Sequence, residues 1–254
     1  MNVLSLFSGI GGIELGLERA GMTTVGQVEI DPFCRQVLAR HWPNVPRHDD
    51  VRTAVQWWES EPRPHVHVIA GGFPCQDVSN AGGKAGIDGV KSSLWAAMAD
   101  TIRDIRPRYV IVENVAALLI RGIGRVLSDL HTLGFDAEWS VVSACSLGAP
   151  HTRERLFLLA HANDERQQAG WPHGIRDDQA LAVWREWDSE HLYAATESRC
   201  SEGESHWSTE PEVDRMADGL SDELDRRRLF ALGNAVVPAV AEHIGRRLIE
   251  RTAA

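Results

Sequence analysis

Between Val66 and Ser79 the chain runs Val-His-Val-Ile-Ala-Gly-Gly-Phe-Pro-Cys-Gln-Asp-Val-Ser, and this stretch limits the fold more than any other. Its first half alternates β-branched and small residues, the pattern of a short buried strand. Two glycines and Pro74 then break the strand, which leaves Cys75 on a turn just past its carboxyl end. Buried strands that end in such turns belong to α/β sheets, and open α/β sheets gather ligands at the carboxyl ends of their strands. A free cysteine is most often a small buried hydrophobe. On this turn Cys75 is instead a candidate nucleophile.

The rest of the chain alternates in the same way. Residues 3–7 read as a strand and Phe7-Ser8-Gly9-Ile10-Gly11-Gly12 as a tight glycine turn. Ile13, Leu17 and Ala20 then recur at helical spacing as far as Gly21. Strand, glycine turn and helix open a nucleotide-binding unit, because glycines let the backbone approach a ligand and the helix start offers free N–H groups. A second strand, Thr23 to Ile30, delivers Glu29 to its end, 18 residues after Gly11, where a carboxylate can accept hydrogen bonds from ribose hydroxyls. Asp31-Pro32 starts a helix, and Asp50-Val51 closes a short third strand, suited to the amino edge and face of an adenine. The glycine-rich loop Ser79 to Gly89 is long enough to close over a substrate. A helix over Leu94 to Ile105 follows, stopped by Arg106-Pro107.

Tyr109 to Val115 is a hydrophobic strand that carries Glu113 and Asn114 to the same edge as Cys75. Burying an unpaired carboxylate is costly, and desolvation would raise its pKa toward the range of a useful proton donor. Beyond a helix over about 123–133, strands are expected at 137–143 and 156–160. Between them lies Gly148-Ala149-Pro150-His151-Thr152-Arg153-Glu154-Arg155. Alternation places Arg153 and Arg155 on one face, where they could grip a base carbonyl and phosphates. From Ala162 the periodicity fades among polar residues and scattered tryptophans. Order resumes near Pro211, and a closing helix over 239–251 follows Asn234-Ala235-Val236-Val237-Pro238. The expected architecture is a doubly wound, mostly parallel α/β sheet over 1–161, a small irregular lobe over 162–210, and a return to the main unit over 211–254.

A formal net charge of −10 points, by itself, toward a small-molecule substrate. The 11 acidic and 4 basic residues from His161 to Glu210 account for −7 of it, however. The remainder is compatible with a DNA-facing surface of Lys84, Arg121, Arg125, Arg153 and Arg155. Four cysteines without a C-x-x-C pair argue against zinc and a disulfide framework, and fit a reduced, cytoplasmic compartment. No run of about 18 apolar residues exists, so no membrane span is expected, and the N-terminus reads as a first strand in place of a signal peptide.

Taken in order, these motifs resemble the series found in the DNA (cytosine-5) methyltransferases, compact bacteriophage-type members in particular. The resemblance implies a Rossmann-like fold that binds S-adenosyl-L-methionine through the Phe7–Gly12 motif, Glu29, Ile30, Asp50, Val51, Gly72, Phe73, Pro74, Leu94 and the late Asn234-Ala235-Val236 segment. It also implies a thiolate role for Cys75 at cytosine C6. Glu113 would hydrogen-bond or protonate N3, Arg155 would hold O2 with Arg153 in support, and Gln76, Ser79 and Asn114 would lie against the substrate. Two residues depart from the pattern: His151 stands where the family has Gln, and Ala235 where it has Ser. The implied partner is double-stranded DNA, with the target base flipped out of the stack. A cognate restriction endonuclease is a further candidate partner, and a monomer is expected. Alternatives are a same-fold enzyme acting on RNA or transferring another group, a catalytically idle DNA-binding remnant, and a nicotinamide-dependent oxidoreductase. The last leaves the Pro-Cys-Gln and Glu-Asn-Val elements unexplained.

Overall fold

The computed structural model describes residues 1–74, 93–149, 151–163 and 222–253. Among these residues, seven strands form one sheet: β1 (Asn2–Leu6), β2 (Thr23–Val28), β3 (Arg47–His48), β4 (Val68–Gly71), β5 (Tyr109–Asn114), β6 (Phe135–Ser143) and β7 (Glu154–Ala162). Their spatial order is β3-β2-β1-β4-β5-β7-β6. Neighbours pair in parallel except β7, which runs antiparallel to both β5 and β6. The chain winds outward from β1 to β3 and then returns to β4 on the other side of β1. The carboxyl ends of β1 and β4 therefore flank the point where strand order reverses.

Both faces of the sheet are covered at its centre, which is why β1, β4 and β5 read as near-continuous apolar runs. Leu4, Leu6, Ile69, Val110, Val112 and Leu158 face α3 (Ala54–Glu59), α4 (Ser93–Ile105) and α6 (Ile123–Thr132). Val3, Val68, Ala70, Ile111 and Phe157 face α1 (Gly12–Arg19) and α8 (Pro238–Ala253). The remaining helices are α2 (Pro32–His41), α5 (Leu118–Arg121) and α7 (Asp222–Asn234). The sequence reading has no counterpart for α7, whose run Asp-Glu-Leu-Asp-Arg-Arg-Arg lacks an apolar stripe. Strands β6 and β7 are longer than expected because they pair continuously from Phe135 opposite Ala162 to Ser143 opposite Glu154. β7 ends at the amino edge of the sheet, where the Asn163 amide donates to the Gly134 carbonyl.

One cysteine departs from the expectation of separate thiols. Cys34 is free and buried, with its pKa pushed up to about 12 by burial and by the Glu29 and Asp31 carboxylates. Cys145 is disulfide-bonded. Spacing along the chain carries no information on which cysteines the fold brings together.

Helices α1 and α8 meet at glycine. A Cβ on Gly16 would lie 2.3 Å from the Pro238 carbonyl oxygen and 2.5 Å from the Ala241 Cβ. Gly16→Val must therefore push the helices apart, and overpacking of this kind costs about 3 kcal/mol. The expected result in thermal unfolding is a Tm lower by roughly 6–12 °C for a chain of this size. Gly124, inside α6, has open space at its Cβ position. Gly124→Ala should leave Tm unchanged or raise it slightly.

Candidate active site

The motifs converge on the carboxyl edge of the sheet. β1 leads into the loop Phe7–Gly11, in which Phe7, Gly9 and Gly11 have φ of 56°, 56° and 93°. Ser8 is the hub of this loop. Its amide donates to the Val28 carbonyl at the end of β2, its carbonyl accepts from the Gly11 amide, and its hydroxyl donates to the Ser5 hydroxyl at 3.0 Å. Gly11 is left-handed and lies against a ring, since a Cβ there would sit 2.4 Å from Trp42, whose indole N–H donates to Glu18 at 2.9 Å. Gly12 starts α1 directly under the Val236 carbonyl oxygen, 2.2 Å from where its Cβ would be. The late motif is therefore seated on the glycine loop, with Asn234 closing α7, Ala235 next to it and Val236 buried.

Beyond β2, each oxygen of Glu29 accepts a backbone amide at 2.7 Å, one from Gly9 and one from Asp31. This acid ties the first two strand ends together and still has lone pairs for a ligand. Ile30 beside it is 67 % exposed, an open apolar face. Asp31 caps α2 by accepting from the amides of Phe33 and Cys34. Past β3, Asp50 is engaged more fully than a free acceptor would be. Arg52 meets both of its oxygens at 2.6–3.1 Å and holds its carboxyl below the usual range. Val51 packs in the same core as Phe73 and Leu94.

The second half of the edge is built from β4, β5 and β7. Gly72-Phe73-Pro74 leaves β4 against the end of β5. The Asn114 side-chain amide donates to the Phe73 carbonyl at 3.0 Å, and a Cβ on Gly72 would lie 2.5 Å from the Glu113 carboxylate. Cys75, Gln76 and Ser79, the loop to Gly89, and the region 164–221 lie outside the described residues. Because β7 runs against β5, the residues that enter it arrive where β5 ends. Glu113 is opposite Phe157, and Arg155 reaches diagonally across to it, Nε to Oε1 at 3.0 Å. Arg153 sits half-buried beside them and donates to the Leu232 carbonyl of α7 at 3.3 Å, while its Nε and Nη2 make no hydrogen bond among the described residues. The pairing of both arginines with one face is as the alternation predicts. Arg125 instead pairs with Asp129 on its own helix.

Burial pushes the Glu113 carboxyl up to about 7, with Arg155 and Arg153 pulling in the other direction. Burial also lowers the pKa of Arg153, helped by Arg155. A second acid, Glu14 in the first turn of α1, is likewise pushed up to about 7 by burial. Both acids have native pKa values above their unfolded ones, so their contribution to stability is complete below about pH 4.5 and is lost as pH rises through about 7. Each shift corresponds to roughly 3 kcal/mol. Thermal melts of the ligand-free protein should therefore show Tm falling from pH 5 to pH 8. Glu14→Gln should shrink that fall.

Three residues of this region were not signalled as functional. Trp42 follows the end of α2 with no periodic cue. Arg52 looks like a solvated cation in a loop. Glu14 did have a signal, an acid three residues before Leu17 on the buried stripe of α1.

A family model described as C-5 cytosine-specific DNA methylase matches residues 1–213. The chain is 40 % identical over 168 residues to the type II methyltransferase M2.BsuMI of Bacillus subtilis, covering 63 % of this chain and 42 % of that protein. It is 36 % identical over 168 residues to M.Eco47II of Escherichia coli, covering 64 % and 40 %. It thus spans about two-fifths of the length of these relatives. Among solved structures, a putative DNA modification methyltransferase encoded within an E. coli prophage superposes with a TM-score of 0.54 at 25 % identity, covering 70 % of this chain and 49 % of that one. The Dnmt2 methyltransferase of S. pombe shares the fold, with a TM-score of 0.54 at 19 % identity, covering 72 % and 55 %.

Proposed function

The chain belongs to the C-5 cytosine-specific DNA methylase family, and from that premise we propose that it transfers a methyl group from S-adenosyl-L-methionine to C5 of cytosine in double-stranded DNA. The observation that carries this reading is the buried Glu113 carboxyl, ion-paired with Arg155 and pressed against Gly72, three residues before Cys75.

The residues at the strand-order reversal fit the cofactor. The left-handed Gly11 and the Glu29 carboxylate that binds the Gly9 amide make a closely held loop. The exposed Ile30 offers an apolar face beside it. Phe7 to Gly12 would hold the methionine portion, Glu29 the ribose, Ile30 and Val51 the adenine ring, and Gly72 to Pro74, Leu94 and Asn234 to Val236 would close the site. Asp50 would meet the adenine edge with the lone pairs that Arg52 leaves. When bound, S-adenosyl-L-methionine supplies an electrophilic methyl group.

The chain's own residues make cytosine receptive to it. Cytosine C5 is a poor nucleophile, and addition of the Cys75 thiolate to C6 turns the ring into an enamine. A free thiol is only a few per cent ionised near neutrality, and the Arg153 and Arg155 guanidinium groups would favour the thiolate. Glu113 in its protonated form would donate to N3, so that negative charge from the attack does not accumulate on the ring. Arg155 would hold O2, Arg153 would support both, and Gln76, Ser79 and Asn114 would position the base. The segment 79–89 would act as lid and the region 162–210 as the part that selects the target. Elimination of the thiol after loss of the C5 proton restores the enzyme. In this reading the protein would act in the cytoplasm as a monomer on duplex DNA, beside a restriction endonuclease of matching specificity.

Incubation with tritium-labelled S-adenosyl-L-methionine and either duplex DNA or transfer RNA tests the reading. Label is expected at C5 of DNA cytosine. Label confined to RNA, or absent from both, overturns it.

A further inference from the structure

Glu14 is an acid on a face that should carry only hydrocarbon. It is the third residue of α1 and shares the sheet-facing stripe with Ile13 and Leu17, at 0 % exposure. Around it lie three more buried polar side chains from three different segments: Ser5 of β1, Ser8 of the glycine loop and Gln27 of β2. The Glu14 carboxyl faces the Ser8, Ser5 and Gln27 side chains, whose hydrogen-bonding groups help hold its pKa down, while among the described residues no contact at either carboxyl oxygen or at the Gln27 amide nitrogen reaches full hydrogen-bond geometry in the ligand-free protein. Four polar groups gathered under a loop, where leucine and valine would pack at less cost, call for a reason beyond stability.

The reason lies in what Ser8 and Gln27 are attached to. Ser8 joins the loop to β1 through Ser5, to β2 through Val28 and to Gly11 through its carbonyl. Gln27 immediately precedes Val28 and stands two residues before Glu29, which binds the Gly9 amide. Glu14 thus sits between the two strand ends that carry the loop amides and the acid at 29. Resting on the methyl-donor reading, we propose that Glu14 is a positioning residue for the cofactor: its carboxyl holds Ser8 and the end of β2 so that the loop and Glu29 form one preformed surface. A hydrocarbon side chain would leave Ser8 and Gln27 facing apolar atoms and let the loop drift from β2.

The test uses the full chain with S-adenosyl-L-homocysteine as the probe, its Kd measured by calorimetry. Amide hydrogen exchange of residues 9–11 is followed separately in the ligand-free protein. Glu14→Gln keeps the shape and the polar groups and should hold Kd within about twofold, whereas Glu14→Leu should weaken binding about tenfold, the worth of one buried polar interaction. The same Leu variant should speed exchange at the loop amides while its circular dichroism stays native. Leu17→Ala, an equally buried change on the same helix stripe, controls for simple destabilisation and should leave Kd and loop exchange as in the parent. Unchanged Kd and unchanged exchange in Glu14→Leu overturn the proposal, as does an equal loss in Leu17→Ala. Should the parent protein bind no S-adenosyl-L-homocysteine, the methyl-donor reading fails, and the exchange comparison still decides the role of Glu14. If Glu14→Leu does not fold, Glu14→Ala and Glu14→Gln carry the comparison, and equal affinity of those two overturns the proposal.

Discussion

Cys75→Ser is expected to abolish methyl transfer, lowering turnover by about 10⁴-fold or more, because a serine hydroxyl at neutral pH has almost none of the nucleophilicity of a thiolate. The loss should fall on the chemical step alone. Binding of S-adenosyl-L-homocysteine should match the parent, since Cys75 follows the loop residues Gly72-Phe73-Pro74 and is not among those assigned to the cofactor. Single-turnover transfer of labelled methyl to duplex DNA reads the first quantity, and calorimetry the second. A companion experiment reads the covalent bond itself. DNA carrying 5-fluorocytosine at the target has no C5 proton to lose, so with methyl donor present the parent should form an adduct that survives denaturant, and Cys75→Ser should form none. Substantial turnover by the serine variant, or a parent that never traps the fluorinated base, removes the nucleophile from this scheme.

The second large effect is at Glu113. Glu113→Gln should lower kcat by about 10²–10⁴-fold, the range for loss of a positioned proton donor. The sign of the pH dependence follows from the direction of the shift. With the carboxyl pushed up to about 7 by burial, the protonated donor predominates below that value and is lost above it. The pH profile of kcat in the parent should therefore have a limb descending near pH 7, and in the Gln variant that limb should vanish. Stability should move in the other direction. Removing a buried carboxylate that must ionise at high pH should raise the Tm of the variant relative to the parent at pH 8 and leave it near the parent at pH 5. A site that loses both activity and stability together would point to a structural acid.

Much of this is legible in the amino-acid sequence itself. The central strands β1, β4 and β5 could be read because both of their faces are buried, and their carboxyl ends because a glycine turn or an acid stops each run. The shared face of Arg153 and Arg155 followed from alternation, and the helix start at Asp31-Pro32 from capping chemistry. What could not be read depends on which partner a side chain takes in three dimensions. Nothing near Asp50 in the sequence says that Arg52 folds back onto both of its oxygens, since a charged neighbour two residues away is more often solvated. Nothing marks Trp42 as the ring against Gly11, because no pattern of apolar spacing reaches from α2 to the first loop. The fate of Cys145 is of the same kind. α7 escaped because a helix without an apolar stripe has no periodicity to detect.

The reversed direction of β7 has a practical corollary. Its last residues and Asn163 lie at the margin of the sheet remote from the cleft, where β1 also begins. Met1, at the start of β1, is therefore distant from the carboxyl edge that would receive DNA. A fluorophore or purification handle attached at Met1 would report on the protein without obstructing the duplex.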